Sequence, residues 1–218
     1  MCASRNDLEL YIHIPFCIKK CNYCDFLSFP SSEEEREEYV QCLVNEIEQT
    51  GNLLDKDTYA VRSVFIGGGT PSLLLGEQIE RIMLAVQESF TIKDGVEITM
   101  EANPGTLKES NIFSYKEAGV NRLSMGLQSA DNACLHLLGR IHTWEEFLKS
   151  YELARKVGFE NINVDLMSGL PGQTVSIYKR TLEKVMALQP EHISAYSLIL
   201  EEGTPFGESK EIQKKIPD

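Results

Sequence analysis

The sequence predicts an α/β fold, a partial TIM-like barrel of six βα units, (β/α)6. Strand-like and helix-like segments alternate along the chain, the strands are short and rich in Val, Ile and Leu, and polar residues gather at the C-terminal ends of successive strands. Such strands suit a parallel sheet covered by helices. Strand-to-strand spacings of roughly 25 to 55 residues leave room for a crossover each time. A doubly wound open sheet meets the first two observations equally well. The third favours a barrel, where chemistry sits on the loops leaving the C-terminal ends of the strands.

The elements follow in order. Leu8 to Ile14 alternates and then meets Pro15, a strand. Glu33 to Gln49 is a helix with Tyr39, Leu43 and Ile47 on one face. Its acidic run, Glu33, Glu34, Glu35, Glu37 and Glu38, reads as solvated first turns, where negative charge is favourable. Arg62 to Ile66 is a strand ended by three glycines, and Glu77 to Phe90 returns to helical period. Val96 to Glu101 is a strand, and Leu107 to Ala118 is a helix stopped by Gly119. Arg122 to Leu127 is a strand, and Trp144 to Val157 is a helix stopped by Gly158. Ile162 to Met167, the helix Thr174 to Leu188 and the strand His192 to Ile199 complete the series.

The 218 residues carry 42% hydrophobic and 25% charged side chains, enough to bury the core of one domain. No stretch is apolar over the length of a membrane span. Met1 to Glu9 is polar, without the apolar core of a signal peptide, so a cytoplasmic protein is expected. The net charge of −12 argues against general nucleic-acid binding, which depends on Lys and Arg neutralising phosphates.

Of the six cysteines, three crowd together as Cys17-x3-Cys21-x2-Cys24, while Cys2, Cys42 and Cys134 are scattered. A tight triplet outside an oxidising compartment points to metal or redox chemistry. Cys42 and Cys134 read as small buried residues. Three thiolates on one loop can hold a 4Fe–4S cluster with one iron left open. Zinc, with His13 or Asp25 as fourth ligand, is the rival. His13, His136, His142 and His192 read as structural, and Trp144 as core.

Other residues offer ligand chemistry alongside bland alternatives. Gly67-Gly68-Gly69-Thr70 suits close approach of a ligand to the backbone, or simply a tight turn. Glu101 can accept hydrogen bonds from both hydroxyls of a ribose, or cap a helix. Gln128 offers donor and acceptor, and Arg140 a planar fork for a carboxylate or a surface ion pair. Asp165 stands in an otherwise apolar strand and needs a partner there.

The string CIKKCNYC after YIHIPF resembles the signature of the radical S-adenosylmethionine (SAM) superfamily, with Tyr23 as the aromatic residue before the last cysteine. FIGGGTPSLL, EANPGTL, NRLSMGLQS, LGRIHT, NVDLMSGLPGQT and ISAYSLILEEGTP narrow the resemblance. They are similar to the group that holds oxygen-independent coproporphyrinogen III oxidases and HemW-type haem chaperones. The likeness runs from Tyr11 to about Phe206.

It implies a radical SAM barrel core over residues 1–206, with 207–218 as the start of a truncated C-terminal region. It implies a cluster on Cys17, Cys21 and Cys24 whose open iron binds SAM. Tyr11, Tyr23, Gly67, Gly68, Gly69, Thr70, Glu101, Gln128, Arg140, Asp165 and Ile199 match positions where the family contacts SAM. An electron donor such as a flavodoxin or ferredoxin is implied.

Two departures favour the chaperone side: Phe26 stands where the oxidases carry a fourth nearby cysteine, and only ten residues precede Tyr11. The expected function is therefore haem binding and delivery to acceptor proteins. The alternative is a coproporphyrinogen III dehydrogenase-type enzyme that decarboxylates propionates to vinyls. A third reading, a truncated core completing neither task, follows from the absence of the His-Asn-x-x-Tyr-Trp haem motif.

Overall fold

The computed structural model describes residues 5–217. The elements are β1 (Asn6–Ile14), α1 (Glu33–Leu53), β2 (Tyr59–Gly68), α2 (Gly76–Ser89), β3 (Ile92–Ala102), α3 (Glu109–Glu117) and β4 (Arg122–Gln128). There follow α4 (Asn132–Leu138), α5 (Trp144–Val157), β5 (Asn161–Ser168), α6 (Val175–Met186), β6 (His192–Ser197), α7 (Pro205–Glu208) and α8 (Lys210–Gln213). The six strands pair in parallel in the order β1-β2-β3-β4-β5-β6. A doubly wound sheet reverses its order at a switch point. This sheet never does, and β1 and β6 are its edges, so it is an open half of a (β/α) barrel.

Side-chain alternation gives the sheet two unlike faces. Ile12, Ile14, Val64, Ile66, Met100, Leu123, Met125, Val164 and Leu166 are buried in one apolar cluster. That cluster also holds Val40 of α1, Ile79, Ile82 and Met83 of α2, Ile112 of α3 and Phe147 of α5. From β3 to β6 the intervening positions are mostly polar: Thr99, Glu101, Ser124, Gln128, Asn163, Asp165, Ser194 and Tyr196. The core therefore lies between sheet and helices, and the concave face is left for ligand chemistry.

Helix ends follow their local sequence. Ser32 and Glu35 form a capping box at α1, as Thr143 and Glu146 do at α5. Gly158 ends α5 in the left-handed region.

The sequence reading missed α4, only seven residues long and too short to show a helical period. It placed Cys42 inside, but Cys42 is exposed on α1 because its neighbours Val40, Leu43 and Ile47 hold the buried side. Cys134 and Trp144 are buried as expected. Cys2 lies outside the described residues. After β6, Phe206 buries against Met167 and Leu170, and Gly172 N–H donates to Lys215 O at 2.8 Å. No helix among the described residues is long and apolar enough to cross a membrane.

Candidate functional site

The loop between β1 and α1 carries the three cysteines. It is closed at its base: Cys17 N–H donates to Phe29 O (3.0 Å) and Phe29 N–H to Pro15 O (2.9 Å). Phe16 packs edge-on against Phe29 and Tyr39 beneath it. The far side is tied to the end of α4, where Asn22 donates through its backbone N–H to Leu138 O and through Nδ2 to Leu137 O. These ties aim Cys17, Cys21 and Cys24 at one cavity of about 510 Å³ on the concave face. All three are free and half-buried. Burial pushes the Cys24 thiol up, and its neighbours Cys21 and Cys17 push it further. Among the described residues, no three His, Cys, Asp or Glu side chains lie close enough to hold a single ion. A cluster that gives each thiolate its own iron needs a wider set than one zinc ion does. His13 is engaged elsewhere: Nε2 donates to Leu27 O, so Nδ1 accepts from Tyr11 OH, both at 3.0 Å.

The glycine run leaves β2 beside this loop. Gly68 has φ +113°, and a Cβ there would stand 2.5 Å from the His13 ring. A Cβ at Gly69 would come within 2.6 Å of Phe16 O. Glycine is therefore required by the packing of the loop as well as by any ligand. Gly68 N–H donates to Glu101 Oε2 at 2.9 Å. The buried Thr70 hydroxyl lies 3.5 Å from Cys17 Sγ.

Opposite, Arg140 reaches in from the turn after α4. Its guanidinium donates to Gly126 O (2.6 Å) and toward Cys21 Sγ (3.6 Å), and its buried Nε has no partner. Among the described residues no carboxylate pairs with it. Gly126 makes the room, since a Cβ there would stand 3.3 Å from Nη2 of Arg140. A buried guanidinium on the cavity wall with no carboxylate partner has the chemistry to pair with an anion there.

The floor is acidic and polar. Burial pushes Glu101 up to about 7, against the pull of the Gly68 N–H, and Asp165 adds to the rise. Burial likewise raises Asp165, against hydrogen bonds from Asn163 and Ser124. Gln128 is buried at φ +71°, where a register shift in β4 re-aims it, and Tyr196 OH donates to its Oε1 at 2.8 Å.

The cavity wall thus gathers Cys17, Cys21, Tyr23, Cys24, Gly68, Gly69, Thr70, Glu101, Gln128, Arg140, Asp165 and Ile199. It does not gather Tyr11 or Gly67. Tyr11 stands on the edge strand, 61% exposed, with its hydroxyl on His13. Gly67 backs onto the Phe65 ring. Arg122, Ser124 and Asn163 also line the cavity and were not assigned from sequence, while Tyr196 lines it from the C-terminal end of β6, where polar residues were expected. Two-residue alternation from Gln128 and Asp165 puts Ser124 and Asn163 on the same face, a signal present in the sequence.

The family model described as the Radical SAM superfamily matches residues 11–185. The heme chaperone HemW of Escherichia coli K12 is 43% identical over 206 residues, 92% of this chain and 53% of that protein. Its Bacillus subtilis counterpart is 40% identical over 201 residues, 90% of this chain and 52% of its own length. The chain spans about half the length of these curated relatives. Among solved structures, the coproporphyrinogen III oxidase HemN of Escherichia coli superposes with a TM-score of 0.84 at 31% identity, covering 98% of this chain and 48% of that one.

Proposed function

The chain belongs to the radical SAM superfamily, and from that premise we propose that it is the cluster- and SAM-binding core of a haem chaperone of the HemW type. The observation that carries the cofactor reading is the buried Arg140 guanidinium, without a carboxylate partner, sharing one cavity wall with three free thiols and touching that of Cys21. These residues fit the group: Cys17, Cys21 and Cys24 hold a 4Fe–4S cluster, and Arg140 takes SAM's carboxylate. When bound, the cluster supplies one-electron chemistry at an iron without a protein ligand. Glu101 in its ionised form accepts from ribose hydroxyls, and Gln128, its oxygen occupied by Tyr196, presents N–H donors. Tyr23 lines the same cavity and packs against the apolar cluster of Leu138, Met167 and Phe206. An electron donor of the flavodoxin or ferredoxin class serves the cluster.

The haem-delivery half of the reading is supported by the HemW relatives and by Phe26, an exposed side chain where the oxidases have a cysteine. The fit to HemN supports the second reading, a radical enzyme acting on coproporphyrinogen III. The test is anaerobic reconstitution with iron and sulfide, followed by titration with haem and separately with coproporphyrinogen III. Four irons per chain, lost in Cys21→Ala, together with a haem absorbance band, is the expected result. Turnover of coproporphyrinogen without haem binding would favour the second reading. An iron-free chain would overturn both.

A further inference from the structure

Asn163 has no part in the roles given above. It is buried, and all of its hydrogen-bonding capacity is used. One amide hydrogen goes to Asp165 Oδ1 (2.7 Å) and the other to Ser124 Oγ (2.8 Å). Its oxygen accepts from Ser194 Oγ (3.0 Å) and from His192 Nδ1. In this orientation the amide nitrogen faces the Asp165 carboxyl and Ser124, and the amide oxygen faces the two groups from β6. Ser124 Oγ in turn donates to Asp165 Oδ2 at 3.1 Å. Each oxygen of Asp165 therefore has its own donor, and the amide supplying one of them is clamped from β6.

Resting on the reading of Asp165 as a SAM contact, we propose that Asn163 is a positioning residue that, with Ser124, holds the Asp165 carboxylate ionised and aimed into the cavity. The charged and titratable groups around Asp165 are Glu101 from β3, Arg122 from β4, and Tyr196 from β6, with His192 one step beyond. Burial and Glu101 favour the neutral acid. The hydrogen bonds from Asn163, Ser124 and Ser194, and the charge of Arg122, favour the anion. Without the amide the balance moves toward the protonated form, which no longer accepts at both oxygens.

The test is Asn163→Leu, read in two ways. In the cofactor-free chain, the Asp165 carboxyl is followed by carbon-13 NMR across pH, and its midpoint should rise. In the reconstituted chain, SAM affinity by calorimetry should fall about tenfold at neutral pH, the loss of one hydrogen bond to a charged group. The acid limb of SAM binding should also move to higher pH. An unmoved Asp165 midpoint with unchanged SAM affinity overturns the proposal. If Asn163→Leu does not fold, Ser124→Ala removes the other donor and must raise the same midpoint, or the proposal fails. A wild-type chain that takes up iron but no SAM overturns the reading of the site, while the Asp165 midpoint still decides the positioning.

Discussion

Arg140 is the residue on which the site turns. A buried guanidinium without an anion costs stability until a ligand arrives, so Arg140→Met should leave the ligand-free chain as stable or up to about 2 kcal/mol more stable. The same change should weaken SAM binding by about a hundredfold, as loss of a buried charge pair does. Thermal melts and calorimetry on one preparation check both signs. Glu101 predicts a pH dependence. Its carboxyl is raised from 4.5 to about 7 in the folded chain, so the folded form holds the proton more tightly than the unfolded one. Its contribution to stability is full below about 4.5 and is lost as pH rises through about 7. Urea titrations across that window should show stability falling in the wild type and a flatter profile in Glu101→Gln. At this scale the sequence was legible by residue type: cysteines, a carboxylate and an arginine announced themselves. Gly126 and Asn163 did not, because one acts by lacking a side chain and the other acts through hydrogen bonds to neighbouring side chains.

At the scale of elements, the β1–α1 loop and the glycine run form one unit. His13 joins them, seated over Gly68 and bonded to Leu27 O. Gly68→Ala brings a Cβ into the His13 ring and a strained φ at once, and should cost about 1–3 kcal/mol. Urea midpoints check the energy, and iron content after reconstitution should fall with it. The strands were legible from alternation, yet their ends were not. β3 is entered at Ile92, which pairs with Val61, but the ladder then jumps to Ser63 opposite Glu97, so Lys93 to Val96 form an irregular step with Gly95 at φ +72°, and the regular strand begins next to Val96, where alternation placed it. The short α4 was invisible to periodicity, although it carries the two carbonyls that anchor Asn22.

The whole molecule is a half-barrel whose apolar side is sealed by helices and whose concave side is polar from β3 to β6. That division was readable once the strands were placed, since alternate residues of β4 and β5 switch between apolar and polar. The sequence could not show that the strand order never reverses; pairing established it. The central claim is that three cysteines hold a cluster whose remaining iron takes SAM on this concave face. The most direct test is electron paramagnetic resonance of the anaerobically reconstituted, reduced chain, with and without SAM. The account predicts a 4Fe–4S signal whose g values change when SAM is added, with Arg140→Met needing about a hundredfold more SAM for the same change. A bound zinc ion, or a cluster signal indifferent to SAM in the wild type, would contradict it.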